Sequence, residues 1–274
     1  MKIAGDWLTA GHVQKVLAML SGGGHQALLV GGCVRNAALS QPVSDIDIAT
    51  DATPERVIDL AKAAGLKPVP TGIDHGTVTV VADHVGHEVT TFRRDVETFG
   101  RHATVAFSTD IRDDAARRDF TMNALYATAD GTVLDPLGEG LADLAARRLR
   151  FVGDPAQRIT EDYLRILRFF RFTAWYGDPE QGMDAEGLAA CAAFSAGIET
   201  LSRERIGHEM RKLLAAPDPA PAVAAMQAEM GADGNTLRLY PDPNADRLKE
   251  AVARHFADFG IGTRNIFAGN GSDE

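Results

Sequence analysis

Cysteine is nearly absent: the 274 residues hold two, Cys33 and Cys191. Two thiols so far apart build neither a disulfide framework nor a zinc site, and they point to a reducing cytoplasm. Long apolar runs are missing as well. None approaches the ~20 residues a spanning helix requires, so no membrane partner is expected. The opening residues, MKIAGDWLTAGHV, carry no apolar stretch of the signal-peptide kind. Positive charge is in deficit, with 28 Lys+Arg against 38 Asp+Glu and a net charge of −10. That balance excludes a protein that coats nucleic acid through bulk charge. It leaves room for a local grip on an RNA end, because arginines crowd between residues 93 and 171. There is no internal repeat.

What remains is an ordinary globular composition, 45% hydrophobic and 24% charged, long enough for one large or two small domains. The chain is organised around residues 28–51, LLVGGCVRNAALSQPVSDIDIATD. They read as a strand (28–30), a Gly31-Gly32 turn, a helix (34–39), a Pro-Ser loop and a second strand carrying Asp45 and Asp47. Side chains at i and i+2 of a strand share a face, which puts the two carboxylates together and turns Ile46 and Ile48 to a core. Paired carboxylates beside a glycine turn at a helix start suit Mg²⁺ and a nucleoside triphosphate. Most Asp-x-Asp pairs are plain loop or strand-edge carboxylates, so the assignment depends on the rest of the chain.

Residues 6–20 have helical apolar spacing and stop at Ser21-Gly22-Gly23-Gly24. Thr53-Pro54-Glu55 predicts a capped helix to residue 64, ended by Gly65. Residues 77–82 and 88–92 read as a Val/Thr-rich hairpin around residues 83–86. Residues 99–109 read as a polar loop, 119–127 as a helix, 132–136 as a strand and turn, and 141–148 as a helix. Beyond residue 154 the strand signal ends, and helices are expected at 160–176, 185–194, 203–215 and 220–230. The fold class is α+β, with a mixed head at 1–150, a helical neck at 151–230 and a separate segment at 231–274.

Glu88 lies in HEVTTF, where period two sets Glu88, Thr90 and Phe92 on one face. A carboxylate there would join Asp45 and Asp47 around two metal ions; the plain alternative is a solvated hairpin-end glutamate. The run RRDFTMN brings Arg117 and Arg118 just before the expected helix, and fork-shaped donors suit triphosphate oxygens. Asp119 doubles as a possible helix cap, and Asn123 follows one turn on. In EDYLRILRFFR, Asp162 and Arg165 stand at i and i+3, a spacing that usually gives a surface ion pair. The sharper reading uses base edges. A carboxylate accepting from an exocyclic amine and an arginine donating to the adjacent ring nitrogen fit cytosine and adenine, while guanine and uracil present the opposite pattern. Arg168 and Arg171 extend the positive column.

LLVGGCVRNAALSQPVSDIDIAT, GRHATVAFSTDIRDDAARRDFTMNAL, DPLGEGLADLAARRLRFVGDP and EDYLRILRFFRF together resemble, in order and spacing, the motifs of the bacterial class II CCA tRNA nucleotidyltransferase and poly(A) polymerase family. The likeness covers residues 27–216. It implies a polymerase β-like nucleotidyltransferase head with a mixed sheet and flanking helices, followed by an all-helical neck. It also implies template-free addition of C and A to tRNA 3′ ends from CTP and ATP with two Mg²⁺. By position, the resemblance assigns Asp45, Asp47 and Glu88 to the metals and catalysis. It assigns Gly31, Gly32, Arg35, Arg118, Asp119, Asn123, Asp162, Arg165, Arg168 and Arg171 to the nucleotide. The family often has Asp where this chain has Asn36, and an amide still hydrogen-bonds. Poly(A) polymerase and partial CC- or A-adding activity share these motifs.

Residues 235–274, with YPDP and a terminal GNGSDE, instead resemble an early fragment of histidinol-phosphate aminotransferases. The cofactor lysine of such enzymes is absent, so no pyridoxal phosphate is expected. Residues 231–274 are expected to be a foreign, poorly docked appendage. A neck shortened in this way makes nucleotide binding without turnover a further alternative.

Overall fold

The computed structural model describes residues 1–99 and 102–229. The reading of residues 231–274 as an appendage lies outside them. The chain divides into two units, residues 1–158 with 176–187, and residue 159 onward without 176–187.

The first unit opens with α1 (Asp6–Thr9) and α2 (Gly11–Gly22). The single helix expected at 6–20 is thus broken, because Ala10 is extended (φ −56°, ψ 133°) and its carbonyl restarts the ladder by accepting from Val13 and Gln14. Next come β1 (Leu28–Val30), α3 (Gly32–Ala38) and β2 (Asp47–Thr50). α4 (Pro54–Ala63) starts as expected: the Thr53 hydroxyl caps the Arg56 N–H and proline fills the first turn. β3 (Lys67–Gly72), β4 (Thr77–Ala82) and β5 (Val85–Thr91) follow. The hairpin is tighter than expected. Asp83 and His84 both adopt positive φ (49° and 67°), so the turn needs two residues and β5 begins at Val85.

Two further expectations fail. Residues 99–109, expected as a polar loop, contribute to a second hairpin of β6 (Arg93–Phe99) and β7 (His102–Phe107). Residues 119–127, expected as a helix, form a 3₁₀ turn (Thr121–Asn123) and β8 (Tyr126–Ala127), with α5 (Ile111–Ala116) before them. Every residue from 121 to 127 is buried. An apolar run enclosed on all sides has no period to read, and pairing of Tyr126 with Val30 makes it a strand. β9 (Val133–Leu134) and α6 (Gly140–Ala145) complete this stretch.

The main sheet runs β3-β4-β5-β2-β1-β8-β9, with only β2 and β5 parallel among its pairs. α2 and α4 pack on β4 and β5. Val13, Val16, Leu17, Leu20, Val57 and Ala61 of those helices are buried, as are Leu29, Ile48, Val78 and Val89 of the sheet. Leu28, Val30, Ala49, Phe92, Ala115, Ala124, Tyr126 and Val152 form a separate buried cluster. Asp47 lies two residues from Ala49 and is therefore on the side of the sheet where that cluster forms.

The described part of the second unit is helical. α7 (Pro155–Glu161) and α8 (Leu164–Tyr176) replace the continuous helix expected at 160–176. The Asp162 carboxylate accepts from the Leu164 N–H (3.1 Å) while its carbonyl accepts from Arg165 (3.0 Å), which opens a new helix. α9 (Ala185–Ala193), α10 (Arg203–Leu214) and α11 (Ala220–Glu229) follow close to their expected bounds. Ile166, Leu167, Phe169, Phe170, Ile206, Met210 and Leu213 are among the buried side chains here.

Candidate active site

Gly31 sets the site's geometry. It sits at φ 72°, ψ −120°, a conformation L side chains rarely adopt, so the chain turns sharply from β1 into α3. Its N–H donates to the Leu125 carbonyl (3.1 Å), which ties the turn to the end of β8. That amide is therefore taken by the protein. A Cβ on Gly31 would stand 3.2 Å from Arg118 Nη1, which places the guanidinium directly over the turn.

β2 leads out beside this turn. Asp47 pairs with Val30 on one side and, across the parallel ladder, with Glu88 on the other. The expected face-sharing of Asp47 and Glu88 is thus a matter of register. Asp45 lies just ahead of β2, outside the strand that was expected to carry it; Ile46 is half-buried and Ile48 fully buried. Asp47 and Glu88 both keep a face to solvent. Protein nevertheless crowds Asp47: its carboxyl is raised above the ordinary range by this enclosure, then by Glu88 and Asp45, and Arg118 opposes them. A hard all-oxygen donor set with mutual repulsion fits Mg²⁺, which takes carboxylate oxygens and relieves that repulsion. Among the described residues, no three His, Cys, Asp or Glu side chains are gathered closely enough to hold an ion as they stand.

Arg118 is fixed from below. Its Nε donates to the Tyr126 hydroxyl (3.2 Å) and its Nη2 to Asp114 Oδ2 (3.0 Å), while the Tyr126 hydroxyl donates to the same Oδ2 (2.6 Å). Burial pushes the guanidinium's pKa down, but Tyr126 and Asp114 outweigh it, and Arg118 stays firmly charged. Neither Asp114 nor Tyr126 was singled out in the sequence. Asp114, four residues before Arg118, had a readable signal in its i,i+4 spacing, although α5 ends before Arg118; Tyr126 had none.

Arg35, Asn123 and Asp119 form a second group, all three buried. Asp119 Oδ1 accepts from Asn123 Nδ2 (3.0 Å), and Asn123 Oδ1 accepts from Arg35 Nη1. Arg35 also donates to Asn36 Oδ1 and to the Tyr176 hydroxyl (2.9 Å), with its guanidinium 4.0 Å from the Tyr176 ring centre. Asn36 in turn donates to the Pro42 carbonyl (2.8 Å), in the loop that leads to Asp45. Asp119 accepts the Phe120 N–H rather than capping a helix.

Asp162, Arg165, Arg168 and Arg171 belong to the second unit. Asp162 precedes α8, so it and Arg165 are not one turn apart on a single helix. Asp162 Oδ2 meets Arg205 Nη2 (2.8 Å), Arg165 Nη1 meets Glu161 (2.6 Å), and Arg171 Nε meets the buried Glu209 (2.5 Å). Arg168 lies 3.9 Å from Glu209 and over the Phe172 ring. No described helix is long and apolar enough to cross a membrane.

Residues 27–150 match the poly A polymerase head domain. A mouse protein, "CCA tRNA nucleotidyltransferase 1, mitochondrial", is 43% identical over 69% of this chain and 44% of its own length. The "CCA-adding enzyme" of Limosilactobacillus fermentum is 40% identical over 77% of this chain and 51% of its own. The chain thus spans about half the length of these curated relatives. The crystal structure of the Bacillus stearothermophilus CCA-adding enzyme in complex with CTP superposes with a TM-score of 0.72. It is 32% identical, over 84% of this chain and 56% of that one.

Proposed function

We propose that this chain, whose residues 27–150 match the poly A polymerase head domain, is a nucleotidyltransferase that extends tRNA 3′ ends with C and A from CTP and ATP. The observation that carries this reading is the register of β2 on β5, which sets Asp47 beside Glu88 with Arg118 acting on the same carboxyl. Its relatives' names, and the CTP complex of the Bacillus enzyme, supply the substrates.

The terminal 3′ oxygen of the RNA attacks the α-phosphorus of the nucleotide, the bond to the β-phosphate breaks, and pyrophosphate leaves. Asp45, Asp47 and Glu88 would hold two magnesium ions, which supply charge neutralisation at the phosphates and make the hydroxyl more acidic. Arg118 steadies the triphosphate over the Gly31-Gly32 turn as a fork-shaped, permanently charged donor. Arg35, Asn123 and Asp119, bound to one another below that turn, brace α3 and bear on the nucleotide through it. In the second unit Asp162 and Arg165 are assigned the base edge, and Arg168 and Arg171, which meet Glu209, supply positive charge on the same helix. Both cysteines are free and buried, which fits a reducing compartment such as the cytoplasm.

The test is a tRNA that ends at its discriminator base, incubated with Mg²⁺ and each nucleotide in turn. CTP alone should add C, ATP should add A only after C, and GTP and UTP should add nothing. Asp47→Ala should abolish incorporation with the fold intact. Extension by ATP alone into a long tract would instead favour a poly(A) polymerase. Retained turnover in the variant would refute the proposed chemistry.

A further inference from the structure

Arg118 ends a flexible side chain, yet the site needs its charge at one place. Two of its nitrogens are committed: Nε to the Tyr126 hydroxyl and Nη2 to Asp114. The third, Nη1, is turned to the Gly31 turn and makes no hydrogen bond among the described residues. Asp114 and Tyr126 are themselves fully engaged. Asp114 Oδ1 accepts from the Arg93 N–H (3.3 Å), and its Oδ2 accepts from both the Tyr126 hydroxyl and Arg118. The Tyr126 hydroxyl donates to one and accepts from the other, and its ring meets Phe92 edge-on at 6.5 Å.

One ladder aligns the two ends of this arrangement. Tyr126 pairs with Val30, and the next residue, Gly31, donates to the carbonyl of Leu125. The phenol and the glycine turn are therefore set by the same β1–β8 register, so the donor held by the first is aimed at the second. We propose that Tyr126 and Asp114 are positioning residues that hold Arg118 with Nη1 pointed at the triphosphate. This rests on the reading of Arg118 as a triphosphate ligand.

Mechanistically, the pair removes the rotamer freedom that a free arginine would lose on binding, and the cost is met during folding. Loss of the Tyr126 hydroxyl should therefore weaken nucleotide binding without disturbing the sheet, since a phenyl ring fills the same space. Replacing Asp114 is a harsher change. In Asp114→Asn, whichever way the amide faces, its NH₂ meets an N–H or displaces the donors on Oδ2.

The experiment is a double-mutant cycle on the full chain, read by equilibrium CTP binding with Mg²⁺ and by thermal melting. Tyr126→Phe should weaken CTP binding roughly three- to tenfold, the net worth of one ordinary hydrogen bond. In an Arg118→Ala background the same change should cost almost nothing, because the group it acts through is gone. Equal losses in both backgrounds would overturn the proposal, and so would a lowered melting temperature with CTP affinity unchanged. If Arg118→Ala itself leaves CTP affinity intact, the failure belongs to the triphosphate reading and not to the positioning.

Discussion

At the residue scale, Gly31 is the position where the fewest alternatives exist. Its positive φ and its closeness to Arg118 act together, since a side chain there is strained in the backbone and presses on Nη1. Gly31→Ala is expected to destabilise the chain by about 1–3 kcal/mol and to weaken CTP binding as well, checked by melting and by a binding titration. A loss confined to stability would separate the turn from Arg118. The Gly31 turn and the place of Asp47 on β2 were legible from sequence because a positive φ favours glycine and a strand alternates its faces, whereas Asp45 falls ahead of the strand. Arg35, Asn123 and Asp119 were legible only as polar residues in a motif. Their mutual hydrogen bonds, which make them braces, depend on a packing that brings residues 88 apart into contact. Tyr126 was hidden for the same reason: seven consecutive buried residues look alike in one dimension.

At the element scale, α4 and the β4–β5 hairpin were visible because their signals are local, a Thr-Pro cap in one and alternating Val and Thr in the other. β3 was missed because Pro68 and Pro70 argue against a strand, and it survives by lying at the sheet's edge, where missing donors can face solvent. The turn between β4 and β5 carries a residue-level cost: His84 sits at φ 67°, a left-handed value that a glycine adopts freely. His84→Gly should stabilise the hairpin by up to about 1 kcal/mol, a rise of roughly 2–4 °C in the unfolding transition. Because β5 carries Glu88, a chain so stabilised should keep its incorporation rate; a lower rate would show that the turn's strain is used in the reaction.

At the scale of the whole molecule, the proposed function gives the first unit the triphosphate chemistry and the second the choice of base. The pair proposed to read the base is engaged by protein groups, Asp162 by Arg205 and Arg165 by Glu161. The Asp162–Arg205 pair is partly exposed, and pairs of that kind are worth about 0–1 kcal/mol. The break ahead of α8 also frees Asp162 from helical geometry, and its carboxylate serves as the opening cap of that helix as well as a candidate acceptor. Asp162→Ala removes the acceptor for the exocyclic amine but touches none of Asp45, Asp47, Glu88 or Arg118. It should therefore leave metal-dependent triphosphate binding nearly intact, lower C and A incorporation, and narrow the preference over U and G, since a misplaced acceptor–donor pattern is rejected only when both members of the pair are present. Competition assays with the four nucleotides on one tRNA measure this directly. If the variant loses all triphosphate binding instead, α8 is serving the first unit's stability, and the division of labour between the units falls with it.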